Sequence, residues 1–144
     1  MFVLDTNVVS ELGKIRLGKA DANVAKWADS VDAADLYVSA ITVQELTIGV
    51  LLAERRDPTP GAVFRAWLGG QVLPAFAGRF LSVAVAVAEA SARLHVPDPR
   101  PDLLTIRDGL IAATALVHRM TVVTRNVADF KPTGVATLNP WVAR

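Results

Sequence analysis

Short apolar runs alternate along this chain with longer stretches of helical periodicity, and that alternation restricts the fold more than any other feature. Phe2–Leu4 reads as a first strand. A helical segment follows near Val8–Leu12, and another covers Asn23–Val31, where Val24, Trp27 and Val31 share one face. Leu36–Ser39 reads as a second strand and Thr42–Arg55 as a helix. Asp57–Gly61 breaks the pattern, and Thr59-Pro60 opens the next helix. Phe80–Val83 reads as a short strand, Ala84–Leu94 as an alanine-rich helix, and Val96–Asp102, with prolines at 97, 99 and 101, as a stiff loop. The most apolar helix runs from about Thr105 to His118, followed by strands at Thr121–Thr124 and Val135–Leu138. Strands and helices that take turns fold as βα units around a parallel sheet. We therefore expect one α/β domain over residues 1–144, a central parallel sheet flanked by helices.

Composition narrows the chemistry. The chain has 144 residues, room for one domain, and no cysteine, so disulfides and thiolate metal sites are excluded. Any metal must be held by oxygen or by its two histidines, His95 and His118. Fifteen basic residues face fourteen acidic ones, so no overall basic coat marks a nucleic-acid binder. Eleven of those cations are arginine, the better fork for phosphate, which leaves room for a local patch. No charged leader precedes the first strand, and no apolar run approaches the ~18 residues of a membrane span. We expect a soluble cytoplasmic protein with no membrane partner.

In a parallel sheet, ligands bind beyond the carboxyl ends of the strands. Strand one delivers Asp5-Thr6-Asn7 there, and the helix after strand two carries Glu45 in its expected first turn. The apolar helix carries Asp108 in its first turn, and strand Thr121–Thr124 runs into Arg125-Asn126, with Asp129 close behind. Each has a plainer use. Asp5, Thr6 and Asn7 are good helix caps, Thr42-Val43-Gln44-Glu45 has the form of a capping box, Asp108 suits a helix dipole, and Asn126 and Asp129 shape turns. Gathered at one sheet edge, however, the carboxylates repel one another and lose solvation. A hard divalent cation offsets both costs. Mg²⁺ takes oxygen ligands, keeps several waters and suits phosphate substrates, so it needs neither histidine nor cysteine.

The ordered set Leu4-Asp5-Thr6-Asn7, Ser39–Leu46, Asp108–Ala115, Val123–Phe130 and Leu138-Asn139-Pro140-Trp141 resembles the PIN-domain family, and within it the VapC-like and FitB-like toxins. The resemblance spans nearly the whole chain. It implies a metal-dependent ribonuclease, the toxin of a toxin–antitoxin pair. Asp5, Glu45 and Asp108 would form the acidic core holding Mg²⁺, with Mn²⁺ as substitute. Many family members carry a fourth acid where Asn126 stands, so either Asn126 or Asp129 completes the metal site, and Asp129 joins the catalytic acids. Thr6 and Thr124 would orient the carboxylates through their hydroxyls. The implied partners are an RNA substrate, a small cognate antitoxin and a second copy of the chain. Arg125 and Arg107 flank the acids in sequence and could hold phosphates, with Arg93 and Arg100 as further candidates.

His95 and His118 end helices and read as cap or surface residues. Trp27, Trp67 and Trp141 are too dispersed for a stacking platform and read as core or interface. Three other functions compete. A haloacid-dehalogenase-like phosphatase needs a second aspartate two residues after the first, where this chain has Asn7. A catalytically inert PIN-like module, binding RNA or protein, draws support from Asn126. A receiver domain lacks its paired acids and its strand-end lysine.

Overall fold

A computed structural model describes residues 1–97 and 103–143. Strands β1 (Phe2–Leu4), β2 (Leu36–Ser39), β3 (Phe80–Leu81), β4 (Thr121–Val123) and β5 (Thr137–Leu138) form one sheet in the order β3-β2-β1-β4-β5. Every neighbouring pair is parallel, with Phe2 opposite both Leu36 and Thr121. The chain builds outward from β1 through β2 to β3, then returns to place β4 on the other side of β1. The strand order therefore reverses between β1 and β4, the kind of switch point where open α/β sheets bind ligands.

Period-two alternation along the strands supplies a core to both faces. Leu4, Leu36, Val38 and Val123 point to one side, where they pack with Val8, Val9, Trp27, Leu46 and Val50. Val3 and Val122 point to the other, against Ile111, Ala112, Ala115 and Phe130. On the first face lie α1 (Thr6–Leu12), α2 (Ala22–Ser30) and α3 (Ala40–Arg56). Helix α4 (Pro58–Trp67) opens with Pro58 at its first position and with Asp57 capping Thr59 N–H. It runs on through a π-helical turn, Leu68–Val72, into the short α5 (Leu73–Ala75). On the second face α6 (Val85–His95) packs along α7 (Ile106–His118), and α8 (Val127–Phe130) links β4 to β5.

Several sequence expectations shift, and α4 starts at Pro58, so most of the expected break at Asp57–Gly61 is helical. The third helix starts at Ala40 rather than Thr42, because Ser39, the last residue of β2, caps it by accepting a hydrogen bond from Ile41 N–H at 3.0 Å. Thr42 is fully buried inside the helix, and Glu45 lies in the second turn, free of any capping box. His95 ends α6 as expected but is only partly exposed. Its Nε2 is buried without a hydrogen-bond partner among the described residues and faces Gly109 of α7. The expected stiff loop falls mostly on residues 98–102, outside the described residues, and Arg100 with it. Among the described residues no helix is long and apolar enough to cross a membrane.

Candidate active site

The carboxyl ends of β1 and β4 meet directly, with Asp5 N–H donating to Val123 C=O at 2.9 Å. This pairing places the Asp5 side chain on the switch point, only 7% exposed. Its Oδ1 accepts from Thr6 N–H at 2.8 Å, so the cap expected of Asp5 is present. Its Oδ2 accepts from the fully buried Thr124 hydroxyl at 2.7 Å and from Asn7 Nδ2 at 3.4 Å. Capping and site duties are thus divided between the two oxygens of one carboxylate. Burial nevertheless pushes the Asp5 carboxyl above its ordinary range, and the charge of Asp129 pushes the same way, while the hydrogen bonds hold it back.

Glu45 reaches the same edge from α3. Its Oε1 accepts from the Thr6 hydroxyl at 2.9 Å, and that hydroxyl also lies 3.3 Å from the Thr42 hydroxyl. Asp108 arrives from the first turn of α7, whose cap is Thr105: the Thr105 hydroxyl accepts from Asp108 N–H at 3.1 Å. Asp108 is not needed as a cap, and its carboxyl is pushed up to about 6, first by burial and then by the charges of Asp5, Asp129 and Glu45. Asp5, Asp129 and Glu45 thus lie within electrostatic reach of Asp108. Asn126 N–H donates to the Thr124 hydroxyl at 3.0 Å, and the Asn126 side chain makes no cap bond to α8. Asp129 and Asn126 are both exposed.

The donor set fits a hard, oxygen-preferring cation, with a restriction. Among the described residues no group of three or more histidine, aspartate or glutamate side chains is drawn together closely enough to hold a metal by itself. Asp108 feels the charges of the other acids, yet the set does not form a closed shell. An ion that keeps most of its waters needs only a few carboxylates, whereas a dry all-protein cage would need a closer group than the described residues provide. Both histidines lie apart, His118 exposed at the end of α7 and His95 against Gly109.

One participant escapes the strand-end reading, and a second, found there, does more than cap a helix. Thr42 lies one helical turn before Glu45 on the same face, a spacing that could have flagged it. Asn7 joins the two strand ends, since its Oδ1 accepts from Arg125 N–H at 3.3 Å while its Nδ2 reaches Asp5. A phosphatase would need an acid in the place of Asn7. Among the other arginines, Arg107 and Arg93 are exposed and carry no described bond to the acids. A cavity of about 500 Å³ lies elsewhere, between α1 and the turn from α4 to α5, and no acid lines it.

The parallel β3-β2-β1-β4-β5 order makes this an open α/β domain whose switch point carries an acidic candidate site around Asp5 and Asp108. The PIN domain family matches residues 2–132, and the chain belongs to that family. It is 39% identical over 142 residues to VapC ribonuclease Y4jK of Sinorhizobium fredii, covering 98% of each chain. Toxin FitB of Neisseria gonorrhoeae is likewise 39% identical over 142 residues, covering 98% of this chain and 99% of FitB. The crystal structure of FitAcB from Neisseria gonorrhoeae superposes with a TM-score of 0.82 at 37% identity, over 98% of this chain and 99% of that one.

Proposed function

We propose that this chain is a metal-dependent ribonuclease, the toxin of a toxin–antitoxin pair, with Asp5, Glu45, Asp108 and Asp129 as its catalytic acids. The observation that carries the reading is the carboxyl of Asp108, pushed up to about 6 by burial and by three neighbouring acids. Like charges kept near one another at a sheet switch point mark a candidate functional site, and a bound cation would offset their repulsion. Similarity to a VapC ribonuclease and to toxin FitB supplies the substrate class and the toxin role.

The residues to hold Mg²⁺, or Mn²⁺ in its place, are Asp5, Glu45 and Asp108, completed by Asp129 or by the amide oxygen of Asn126, which makes no cap bond to α8. When bound, such an ion lowers the pKa of a coordinated water and stabilises the charge that builds on a phosphoryl group. The chain supplies orientation. Thr124 fixes one oxygen of Asp5, the Thr6 amide fixes the other, and the Thr6 hydroxyl aims Glu45. Carboxylates held in this way lose little side-chain freedom when they engage a ligand.

A nuclease of this kind must be kept off the RNA of its own cell, so the reading includes a small cognate antitoxin and a cytoplasmic setting. It also includes a homodimer, for which exposed Leu51 and Leu52 on α3 and Val63 on α4 offer apolar surface. The test is cleavage of a mixed pool of structured RNAs in Mg²⁺, in Mn²⁺ and in EDTA, beside Asp5→Asn. Cleavage should require metal and vanish in the variant. Equal cleavage by Asp5→Asn would identify a contaminant. No cleavage, together with no Mn²⁺ binding by calorimetry, would favour the inert PIN-like module.

A further inference from the structure

Arg125 lies two residues after β4, its N–H tied through Asn7 to Asp5, yet among the described residues its charge pairs with no acid. Among the described residues the guanidinium forms no ion pair and donates no hydrogen bond. The ion pairs present are Lys14 with Glu11 and Arg65 with Glu54, and Arg79 donates to the carbonyls of Leu36 and Ala75. The Arg125 side chain is nevertheless held. Its guanidinium carbon lies 5.2 Å from the centre of the Trp141 ring, over the face. The indole is fixed in turn by backbone bonds on both sides. Trp141 N–H donates to Asn139 Oδ1 at 3.0 Å, and its carbonyl accepts from Asn23 Nδ2 of α2 at 2.8 Å. Asn139 Nδ2 also reaches back to the Arg125 carbonyl at 3.4 Å. The segment after β5 is therefore tied to the segment after β4, and Arg125 N–H is tied through Asn7 to Asp5.

We propose that the Arg125–Trp141 pair is a phosphate-binding subsite for the RNA strand on the β5 side of the acidic centre. Arg125 is the contact and Trp141 its positioning residue. This rests on the ribonuclease reading above. A planar, permanently charged fork suits a phosphate when its donors are free and its orientation is set in advance. Stacking on the indole sets the orientation and consumes none of the donors, since the ring attracts the cation through its face. The same stacking occupies one face of Trp141, so the indole acts through Arg125 and not as an open platform for a base.

The experiment is anisotropy of a fluorescent, short, mixed-sequence single-stranded RNA with the full chain in an Asp5→Asn background, where nothing is cut. Affinity and its salt dependence are compared for Arg125→Ala, Trp141→Leu, Trp141→Phe and the double change Arg125→Ala/Trp141→Leu, with thermal melting as a check on folding. Trp141→Leu should weaken binding about two- to five-fold, the size of an exposed cation–π contact. Trp141→Phe should keep most of the affinity, because an aromatic face remains. Arg125→Ala should weaken binding at least as much and reduce the salt slope by about 0.7, one phosphate contact on a single strand. The double change should bind no worse than Arg125→Ala alone, since Trp141 acts through Arg125. RNA binding by the parent that Arg125→Ala matches in affinity and slope overturns the pair and leaves the nuclease reading standing. Additive losses in a folded double variant overturn the positioning role. A chain that neither binds nor, with Asp5 restored, cuts RNA removes both readings.

Discussion

Asp108 holds its proton to about pH 6 in the fold, whereas an ordinary aspartate releases it near 3.8. Between those values the folded chain binds more protons than the unfolded one, so stability falls as pH rises. The contribution of Asp108 is full below about 4 and is lost as pH climbs through about 6. In EDTA at pH 7, Asp108→Asn should therefore melt above the parent chain, and the gap should close as pH falls below about 4. A parent that melts equally high at pH 7 would mean the acids do not strain the fold. The same titration makes protons compete with the cation, so RNA cleavage should decline as pH drops through about 6. Thr124 supports a second prediction. Its hydroxyl is fully buried between Asp5 Oδ2 and Asn126 N–H. Thr124→Val should weaken Mn²⁺ binding roughly 10- to 100-fold in calorimetry, the usual effect of removing a group that orients a ligand, and Thr124→Ser should restore it. Asp5 and Asp108 were legible from sequence because their placement is local, one residue past a strand and in the first turn of a helix. The Arg125–Trp141 contact was not, because it joins segments sixteen residues apart in sequence and depends on where the chain turns after β5.

Among the elements, β1, β2, β4 and α7 could be read nearly to the residue, since β-branched runs and a long apolar helix are strong periodic signals. The start of α3 was misplaced for an identifiable reason. Thr42-Val43-Gln44-Glu45 satisfies the local rule for a capping box, but the Thr6 hydroxyl, 39 residues earlier, claims the Glu45 carboxylate. A tertiary bond displaced a local one, and it did so at the candidate site. The stretch from Gly61 to Phe80 carried little signal. Its π-helical turn, Leu68–Val72, contains Gly69 and Gly70, whose positions are open and demand nothing of a side chain. The glycine that matters there is Gly61, which brings α4 against α3. A Cβ at that position would lie 2.5 Å from Glu54 Cα and 2.7 Å from Glu54 N. Backbone cannot rotate away as a side chain can, so Gly61→Ala should cost about 1–3 kcal/mol or more, even after its gain in helix propensity. Gly109→Ala makes the instructive comparison. Its Cβ would meet His95 Nε2 at 2.5 Å, the far end of a side chain able to shift. Urea unfolding should rank Gly61→Ala as the more damaging, and the reverse order would mean that α6 and α7 yield less than α3 and α4.

Across the whole molecule, the acids come from β1, α3, α7 and the segment after β4, so only the completed sheet brings them together. Unfolding disperses them. A divalent cation that binds this arrangement should have little affinity for the dispersed chain, and it must therefore stabilise the fold by mass action. At a concentration about 100 times its Kd, an ion adds about 2.7 kcal/mol. For a chain of this size each kcal/mol raises the Tm by roughly 2–4 °C, so the shift should be about 5–10 °C. The comparison is a melt at pH 7 in EDTA against melts in rising Mg²⁺ or Mn²⁺, repeated for Asp5→Asn and Asp108→Asn. Screening offers a rival cause, because salt alone relieves repulsion among acids. Matched ionic strength from NaCl should leave the parent near its EDTA value, while the divalent ion moves it. Each variant should start at or above the parent in EDTA and gain little from metal. If the divalent ion and NaCl shift the parent equally, the acids form a repelling patch relieved by any salt, and the metal-dependent reading fails for the molecule as a whole.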